Sequence, residues 1–186
     1  AYANGLDRSP VSSACQENAP KSIGNGLTFP RSLSGREEIC SGIAMLSDRV
    51  AVRLRRAGMK AAGVSLAIRD PDFRDISRQR RLEPPTCLAR ELSQAAVSLA
   101  EGCWNMDSPV RALTVTALYL ISEDQAGVQL DLLGQADAPR RDRLERLDRT
   151  LDQIRAKYGR NAISPASSAG VCQGGVQEED EEGATS

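Results

Sequence analysis

The segment KSIGNGLTFPRSLSGREEICSGIAMLSDRVAVRL at residues 21–54 contains the change of hydrophobic period that decides the fold. Its first nine residues, KSIGNGLTF, alternate apolar with small or polar side chains, which is typical of a half-buried strand. Further on, apolar residues recur every three or four positions, as on one face of a helix. These are Ile39, Ile43, Leu46, Val50 and Leu54. The segment therefore predicts a strand followed by an amphipathic helix.

Two local signals predict where this helix begins and ends. Ser34 and Glu37 have the spacing of a capping box, in which a hydroxyl and a carboxylate each accept a hydrogen bond from a free backbone N–H. Gly58 stands where a left-handed residue commonly ends a helix. We therefore expect a helix from about residue 35 to residue 57.

The next elements repeat the pattern. The alternating segments AAGVSLAIRD at 61–70 and DISRQRRL at 75–82 predict a hairpin that turns at Pro71-Asp72. Thr86 can cap a second helix, which ends near Gly102. Its apolar stripe is Leu88, Leu92, Ala95, Leu99 and Cys103.

The segment VRALTVTALYLIS at 110–122 is rich in β-branched and aromatic residues and predicts the last strand. The order strand, helix, strand, strand, helix, strand indicates an α+β, ferredoxin-like split βαβ fold. Such a fold has a four-stranded sheet with two helices on one face. The other face of the sheet is open to a partner.

A third helix is predicted at 137–160, beginning at Asp137 or Ala138. Its apolar stripe is Leu144, Leu147, Leu151 and Ile154. Glu145 with Arg149, and Asp142 with Arg146, have the i,i+4 spacing of intrahelical ion pairs. The residues that follow include the acidic run EEDEE at 178–182, and we expect disorder there.

Composition excludes several function classes. The 186 residues contain 24 Lys plus Arg, 25 Asp plus Glu and no His, so His-based nucleophile systems and His-ligated metals are absent. The five cysteines include no C-x-x-C pair, which favours reduced thiols over a disulfide framework or a zinc ribbon. No apolar run reaches the roughly 20 residues of a membrane span. We expect a cytoplasmic protein without a membrane partner or a small-molecule substrate.

The net charge of −1 conceals an asymmetry. Residues 21–122 contain 15 basic and 10 acidic residues, a balance of +5, whereas residues 123–186 contain 8 and 13, a balance of −5. The central domain is therefore mildly basic.

The third predicted strand concentrates this charge. Arg74, Arg78, Arg80 and Arg81 fall within eight residues, with Ser77 and Gln79 between them. Guanidinium and hydroxyl groups suit a phosphate backbone and carry no base-specific information. The alternative is a solvated edge strand whose charges prevent aggregation. Lys21 and Ser22 add donors at the first strand, where Gly24 and Gly26 leave room for a phosphate to approach the amides.

Taken together, PKSIGNGLTF, the helix after it and DISRQRRL resemble the C-terminal little-finger domain of Y-family translesion DNA polymerases, the DNA polymerase IV and UmuC-like group. YANGLDRSPV at 2–11 resembles the end of that family's thumb, and RRDRLERLDRTLDQIRAKYGRNAI at 140–163 resembles its terminal helix. The resemblance implies a thumb end and linker at 1–20, a little finger at 21–122, a linker at 123–136, the terminal helix at 137–160 and a tail at 161–186.

In that family the little finger lies along duplex DNA and contacts its backbone across a groove. The resemblance therefore implies contacts to primer-template or damaged DNA from the first and third predicted strands. The implied positions, with the neighbouring arginines, are Lys21, Ser22, Ile23, Gly24, Arg74, Ser77, Arg78, Gln79, Arg80 and Arg81.

The family's catalytic metals, magnesium ions, are held in a palm domain that precedes the thumb. This chain begins beyond that domain, at Ala1, so we expect no catalytic residue, no metal site and no cofactor in it. The intact parent would be a DNA-directed DNA polymerase.

The segment QLDLL resembles the short motif with which bacterial polymerases dock onto the sliding clamp. It comprises Gln129, Leu130, Asp131, Leu132 and Leu133. The family often has Phe at the last position, where this chain has Leu133. The alternative is a linker whose leucines pack on the sheet.

The sequence thus predicts a non-sequence-specific DNA-binding and clamp-docking module of an error-prone translesion polymerase. A non-catalytic protein-interaction module that uses QLDLL and the terminal helix is the competing hypothesis. An enzyme built on the open sheet face has no supporting cluster of titratable residues.

Overall fold

The computed structural model describes residues 20–123, 138–159 and 162–163. The predicted segments 1–20, 123–136 and 161–186, and with them the QLDLL motif, lie wholly or largely outside the described residues. Seven elements follow one another: β1 (Ser22–Leu33), α1 (Arg36–Arg56), β2 (Met59–Arg69), β3 (Asp75–Thr86), α2 (Ala89–Cys103), β4 (Val110–Ser122) and α3 (Ala138–Tyr158).

The four strands form one antiparallel sheet in the order β1-β4-β2-β3. β4 lies between β1 and β2, and β2 lies between β3 and β4. Each helix crossover therefore joins two strands that a third strand separates, which is the split βαβ arrangement. The predicted α+β fold class is confirmed. β1 and β3 are the two edges of the sheet.

α1 and α2 cover one face of the sheet and form the core with it. All five residues of the predicted α1 stripe are fully buried. α2 is rotated slightly from the prediction, because Ala96 and Ala100 are buried while Leu99 is only half-buried. From the sheet, alternate residues such as Leu66 and Val115 complete the core.

The start of α1 differs from the prediction. Gly35 is the residue that precedes the helix, and no side chain caps it. Instead, the Glu38 carboxylate accepts a hydrogen bond from the Ser34 backbone N–H at 3.0 Å and two from the Arg31 guanidinium. These donors lower the pKa of Glu38 to about 2. The predicted Ser34–Glu37 capping box was therefore wrong. Arg31 and the Ser34 N–H bind the carboxylate of Glu38, which is the residue after Glu37.

The other boundaries lie close to the predicted ones. Gly58 has the expected left-handed conformation, with φ of 63°. Thr86 ends β3 instead of capping α2, and its hydroxyl accepts a hydrogen bond from the Leu88 N–H. α2 itself begins at Ala89, directly after Leu88.

α3 is attached to the rest of the molecule mainly by charged groups. Arg55, whose side chain is only 6% exposed, donates hydrogen bonds to Asp148 and Asp152 of α3. Asp148 also accepts a hydrogen bond from the Ala89 N–H at the start of α2. Burial raises the pKa of Asp148, although Arg55 opposes that shift. Among the described residues, none of α3 belongs to the hydrophobic core cluster.

Four further ion pairs join α3 to the body. They are Lys60–Glu145, Arg141–Glu91, Arg155–Asp48 and Arg149–Glu123. The predicted intrahelical pair of Glu145 with Arg149 was wrong, because both residues bind partners outside the helix. α3 therefore lies at the end of the helical layer where β2 begins and where β3 and β4 end.

None of the helices in the described ranges is both long and apolar enough to cross a membrane.

Candidate nucleic-acid interface

The face of the sheet opposite α1 and α2 is open. Paired residues on neighbouring strands lie on the same face of the sheet, so the strand register identifies the residues of this surface. Four successive rows run across β1, β4, β2 and β3. They are Ser22–Leu118–Gly63–Arg81, Gly24–Thr116–Ser65–Gln79, Gly26–Thr114–Ala67–Ser77 and Thr28–Ala112–Arg69–Asp75. The open face is thus made mostly of small side chains and hydroxyls, with longer groups at its β3 edge.

On the β1 side of this face, two glycines leave the surface without side chains of their own. A Cβ atom on Gly24 would lie 2.7 Å from the Thr116 hydroxyl oxygen, and one on Gly26 would lie 2.5 Å from that of Thr114. Both distances are shorter than a van der Waals contact, so the two threonines fill the space that the glycines leave. The result is a flat surface on which a ligand meets the threonine hydroxyls beside the β1 backbone.

At the β3 edge, Arg81 is held by an aromatic ring. Its guanidinium carbon lies 4.7 Å from the centroid of Tyr119, which is a cation–π contact. Tyr119 has a positive φ of 53°, and its ring covers Gly63, where a Cβ would lie 2.7 Å from a ring carbon. A positive φ costs energy for a bulky residue. The stack limits the rotamers of Arg81 and leaves its N–H groups available to an anion.

The register separates the β3 residues of the predicted site into two groups. Ser77, Gln79 and Arg81 lie on the open face, whereas Arg78 and Arg80 pair with Leu66 and Val64 on the side of the helices. Because β3 is an edge strand, both arginines are nevertheless exposed. Arg80 reaches the Ser98 hydroxyl of α2 at 3.4 Å, and Arg78 donates to the Ser77 carbonyl.

The remaining predicted positions are spread around the same sheet. Ser22 and Gly24 lie on the open face at the β1 edge, and Lys21 precedes them as an exposed residue. Ile23 points into the core and is only 6% exposed, so it can contribute only its backbone. Arg74 lies in the exposed β2–β3 turn. The five QLDLL positions lie outside the described residues.

A cleft of about 410 Å³ adjoins the β1 edge. Arg53 and Arg56 of α1 line it together with Ser22, and Arg53 donates a hydrogen bond to the Gly24 carbonyl. Sequence reasoning did not select these two arginines, because the contact of Arg53 with β1 joins residues 29 positions apart.

At the opposite end of the open face, Arg69 is neutralised. It forms a two-pronged pair with Asp75 at 2.7 and 2.8 Å, and this bonding lowers the pKa of Asp75. The cationic groups of the open face therefore concentrate toward the row of Ser22 and Arg81.

Four open-face residues were not predicted: Ser65, Thr114, Thr116 and Tyr119. The alternation of Thr114 and Thr116 with buried Leu113 and Val115 carried this information. For Tyr119 the sequence carried no signal, because its position on this face depends on an unusual backbone angle.

The described part of the chain contains no group of three or more Cys, Asp or Glu side chains placed to hold a metal ion. Several of its carboxylates are bound in ion pairs, such as those of Asp148 and Asp152 with Arg55. These residues do not fit the magnesium ions that the resemblance assigns to the palm of the parent.

The sequence of this domain matches a known protein family. Residues 20–132 match the impB/mucB/samB family C-terminal domain. The chain belongs to this family. The match covers the whole sheet with α1 and α2, and it confirms the resemblance found in the sequence.

Curated relatives agree with this assignment. The chain is 37% identical over 158 residues to DNA polymerase IV of Acetivibrio thermocellus, covering 85% of this chain and 39% of the relative. It is 36% identical over 166 residues to DNA polymerase IV of Pelotomaculum thermopropionicum, covering 89% and 39%. The chain spans about two fifths of the length of these relatives.

Among solved structures, the chain is similar to one described as a complex of the β-clamp processivity factor and the little finger domain of Pol IV. The identity is 15% and the TM-score 0.45, with 52% of this chain and 86% of that chain covered.

Proposed function

We propose that this chain is the little-finger module of an error-prone translesion DNA polymerase and that it binds primer-template duplex without sequence preference. Nucleotidyl transfer belongs, in this proposal, to the remaining part of a longer protein. The proposal extends to damage tolerance, mutagenesis and a cytoplasmic location. Family membership supports the polymerase context, and the form of the open face supports the DNA contact.

One observation carries the DNA contact: a flat, small-residue surface has cationic groups at both of its edges. With strands about 4.8 Å apart, β1 and β3 are separated by about 14 Å. That distance is close to the roughly 12 Å width of a major groove. Lys21 and Ser22 at one edge and Arg81 at the other are therefore spaced to reach phosphates on the two sides of a groove, and Arg74 adds a cation at the far end of the β3 edge.

The same surface explains the absence of sequence preference. Specific readout needs long polar side chains that reach base edges. Between the edges the open face offers mainly hydroxyls and glycines, which do not extend into a groove. Backbone contacts without base contacts suit a protein that must accept any template.

Arg78 and Arg80 complete the proposed contact. Their side chains project from β3 toward the helical layer. They would therefore bind phosphates that lie beyond the β3 edge, and not phosphates that lie over the open face. Gln79 and Ser77 would contribute hydrogen bonds from the open face.

The experiment is an anisotropy titration of a labelled primer-template duplex at several salt concentrations. Each lost phosphate contact should flatten the log-log salt dependence by about 0.9. We expect Arg78→Ala with Arg80→Ala to flatten it by about 1.8 and Arg81→Ala by about 0.9. Salt dependence that is unchanged in both variants would remove the β3 edge from the interface.

Clamp docking by Gln129–Leu133 is the second part of the proposal. We expect Gln129→Ala with Leu132→Ala to abolish clamp association in a pull-down while duplex binding is kept. Equal clamp binding by the variant would leave the segment a linker.

The competing function is a protein-interaction module that uses QLDLL and the terminal helix. It predicts binding to a protein that hardly responds to salt, since an apolar peptide dock releases no counterions. The ion pairs that fix α3 to the body disfavour this alternative, because they occupy one side of the helix.

A further inference from the structure

α3 carries its charges in two sectors. It contains seven basic and four acidic residues. At 3.6 residues per turn, Glu145, Asp148 and Asp152 fall on one side of the helix. That side faces the body, where these carboxylates bind Lys60 and Arg55. Three of the four acidic charges of α3 are thus used for its attachment.

The opposite sector is basic. Arg143, Arg146 and Lys157 lie there together with Thr150 and Gln153, and all five are exposed. In the part of the chain that the structure describes, Arg143 and Arg146 form no ion pair. From residue 143 to residue 157 this sector extends about 21 Å along the helix axis.

A solvated helix surface ordinarily mixes charges of both signs. Here three of the carboxylates are turned toward the body, where burial raises the pKa of Asp148, and Asp142 alone lies at the border of the outward sector. The Thr150 hydroxyl donates to the Arg146 carbonyl within the helix. The other side chains of the outward sector offer two guanidinium groups, an ammonium and an amide. This is the donor set that binds phosphate backbones.

We propose that the outward sector of α3, formed by Arg143, Arg146, Thr150, Gln153 and Lys157, is a second binding surface for a nucleic-acid phosphate backbone. The inference rests on the proposed DNA-binding function and extends it. α3 packs at the end of the helical layer, so this surface is separate from the open face of the sheet. A duplex presents about one charge per 1.7 Å, so 21 Å of helix faces several phosphates.

The test compares the full chain with the variant Arg143→Ala/Arg146→Ala in salt titrations of a labelled duplex and of a labelled single strand. We expect the salt slope to fall by about 1.8 on at least one probe. The probe that responds identifies whether the duplex or the unpaired template occupies the surface. Arg143→Lys/Arg146→Lys should keep the slope, because a backbone contact needs only the charge.

The matched control is Arg31→Ala/Arg36→Ala, which removes the same charge from exposed residues at the other end of the molecule. An equal loss of slope in this control would show a general charge effect and overturn the proposal. Circular dichroism of each variant establishes that α3 is retained.

The remaining outcomes separate the two proposals. If Arg81→Ala flattens the salt dependence of binding and the α3 variant does not, the sheet binds DNA and the α3 surface is refuted. The reverse result keeps the α3 surface and refutes the sheet contact. A wild-type chain that binds neither probe refutes both. If a polyglutamate peptide binds α3 as tightly as either oligonucleotide, the surface is an acidic-peptide site and the proposal fails.

Discussion

Replacing Arg55 with Met should release α3 while the sheet and its two helices stay folded. Arg55 donates one hydrogen bond to Asp148, two to Asp152 and one to the Cys87 carbonyl, at 2.6–3.0 Å. Met keeps much of the apolar stem and removes every donor. The two carboxylates, whose side chains are 20% and 19% exposed, then face the body without their partner.

The magnitude follows from this geometry. Removing one member of a buried ion pair costs about 3–5 kcal/mol, because the other charge remains desolvated. The helix can escape this cost by leaving the body, which returns Asp148 and Asp152 to water. At 1.4 kcal/mol per factor of ten, the docking equilibrium should shift by at least about a hundredfold.

Hydrogen exchange of the full chain, read by mass spectrometry, measures this shift. Amides of α3 should exchange about a hundredfold faster in Arg55→Met, while β4 keeps its protection. Arg36→Met is the matched control, since its partner Glu101 is well exposed and the pair contributes little. Unchanged protection of α3 would refute the reasoning. Loss of protection in β4 as well would show that α3 belongs to the cooperative core.

Three other perturbations have defined outcomes. Gly26→Ala should destabilise the fold by roughly 1–2 kcal/mol in urea unfolding, because its Cβ would meet the Thr114 hydroxyl; adding Thr114→Ala should restore most of that loss, and a failure to restore it would place the strain elsewhere. Glu38→Gln should be less stable than wild type at pH 7, and the difference should disappear toward pH 2. The pKa of Glu38 is lowered to about 2 in the folded protein. The stabilisation is therefore present above the pKa of the unfolded chain and is lost as the pH falls through the pKa of the folded protein. A difference that stays constant with pH would contradict this. Tyr119→Ala should weaken duplex binding about as much as Arg81→Ala, whereas Tyr119→Phe should not, because the cation–π contact needs the ring and not the hydroxyl; equal losses in both Tyr119 variants would contradict the stacking role.

The elements of the sheet were predictable because local pattern determines them. The bounds of β4 agree with the prediction at both ends, and the α1 stripe is fully buried. The side of β3 on which each arginine lies was also present in the sequence. Ile76 and Leu82, the apolar residues of that strand, share the parity of Arg78 and Arg80 and so assign them to the helix side.

Other features depend on residues far apart in the chain. Arg55 binds residues 93 and 97 positions away, and Glu145 prefers Lys60 to the arginine four residues further along its own helix. Local spacing cannot distinguish these outcomes, since each carboxylate has several cations within reach. The predicted cap of α1 was wrong for a more local reason, because Arg31 of β1 binds Glu38, seven residues away, and not Glu37.

The charged attachment of α3 also gives the two parts of the molecule different responses to temperature. Heat-capacity changes arise mainly from apolar surface, and the sheet with α1 and α2 contains the apolar core. Its stability therefore curves with temperature and weakens on cooling. Ion pairs lose less on heating, because the cost of desolvating charges falls as temperature rises. Salt screens the exposed Arg149–Glu123 pair but has much less effect on the buried pairs of Arg55. Temperature thus acts mainly on the body, whereas ionic strength acts only on the exposed part of the α3 attachment.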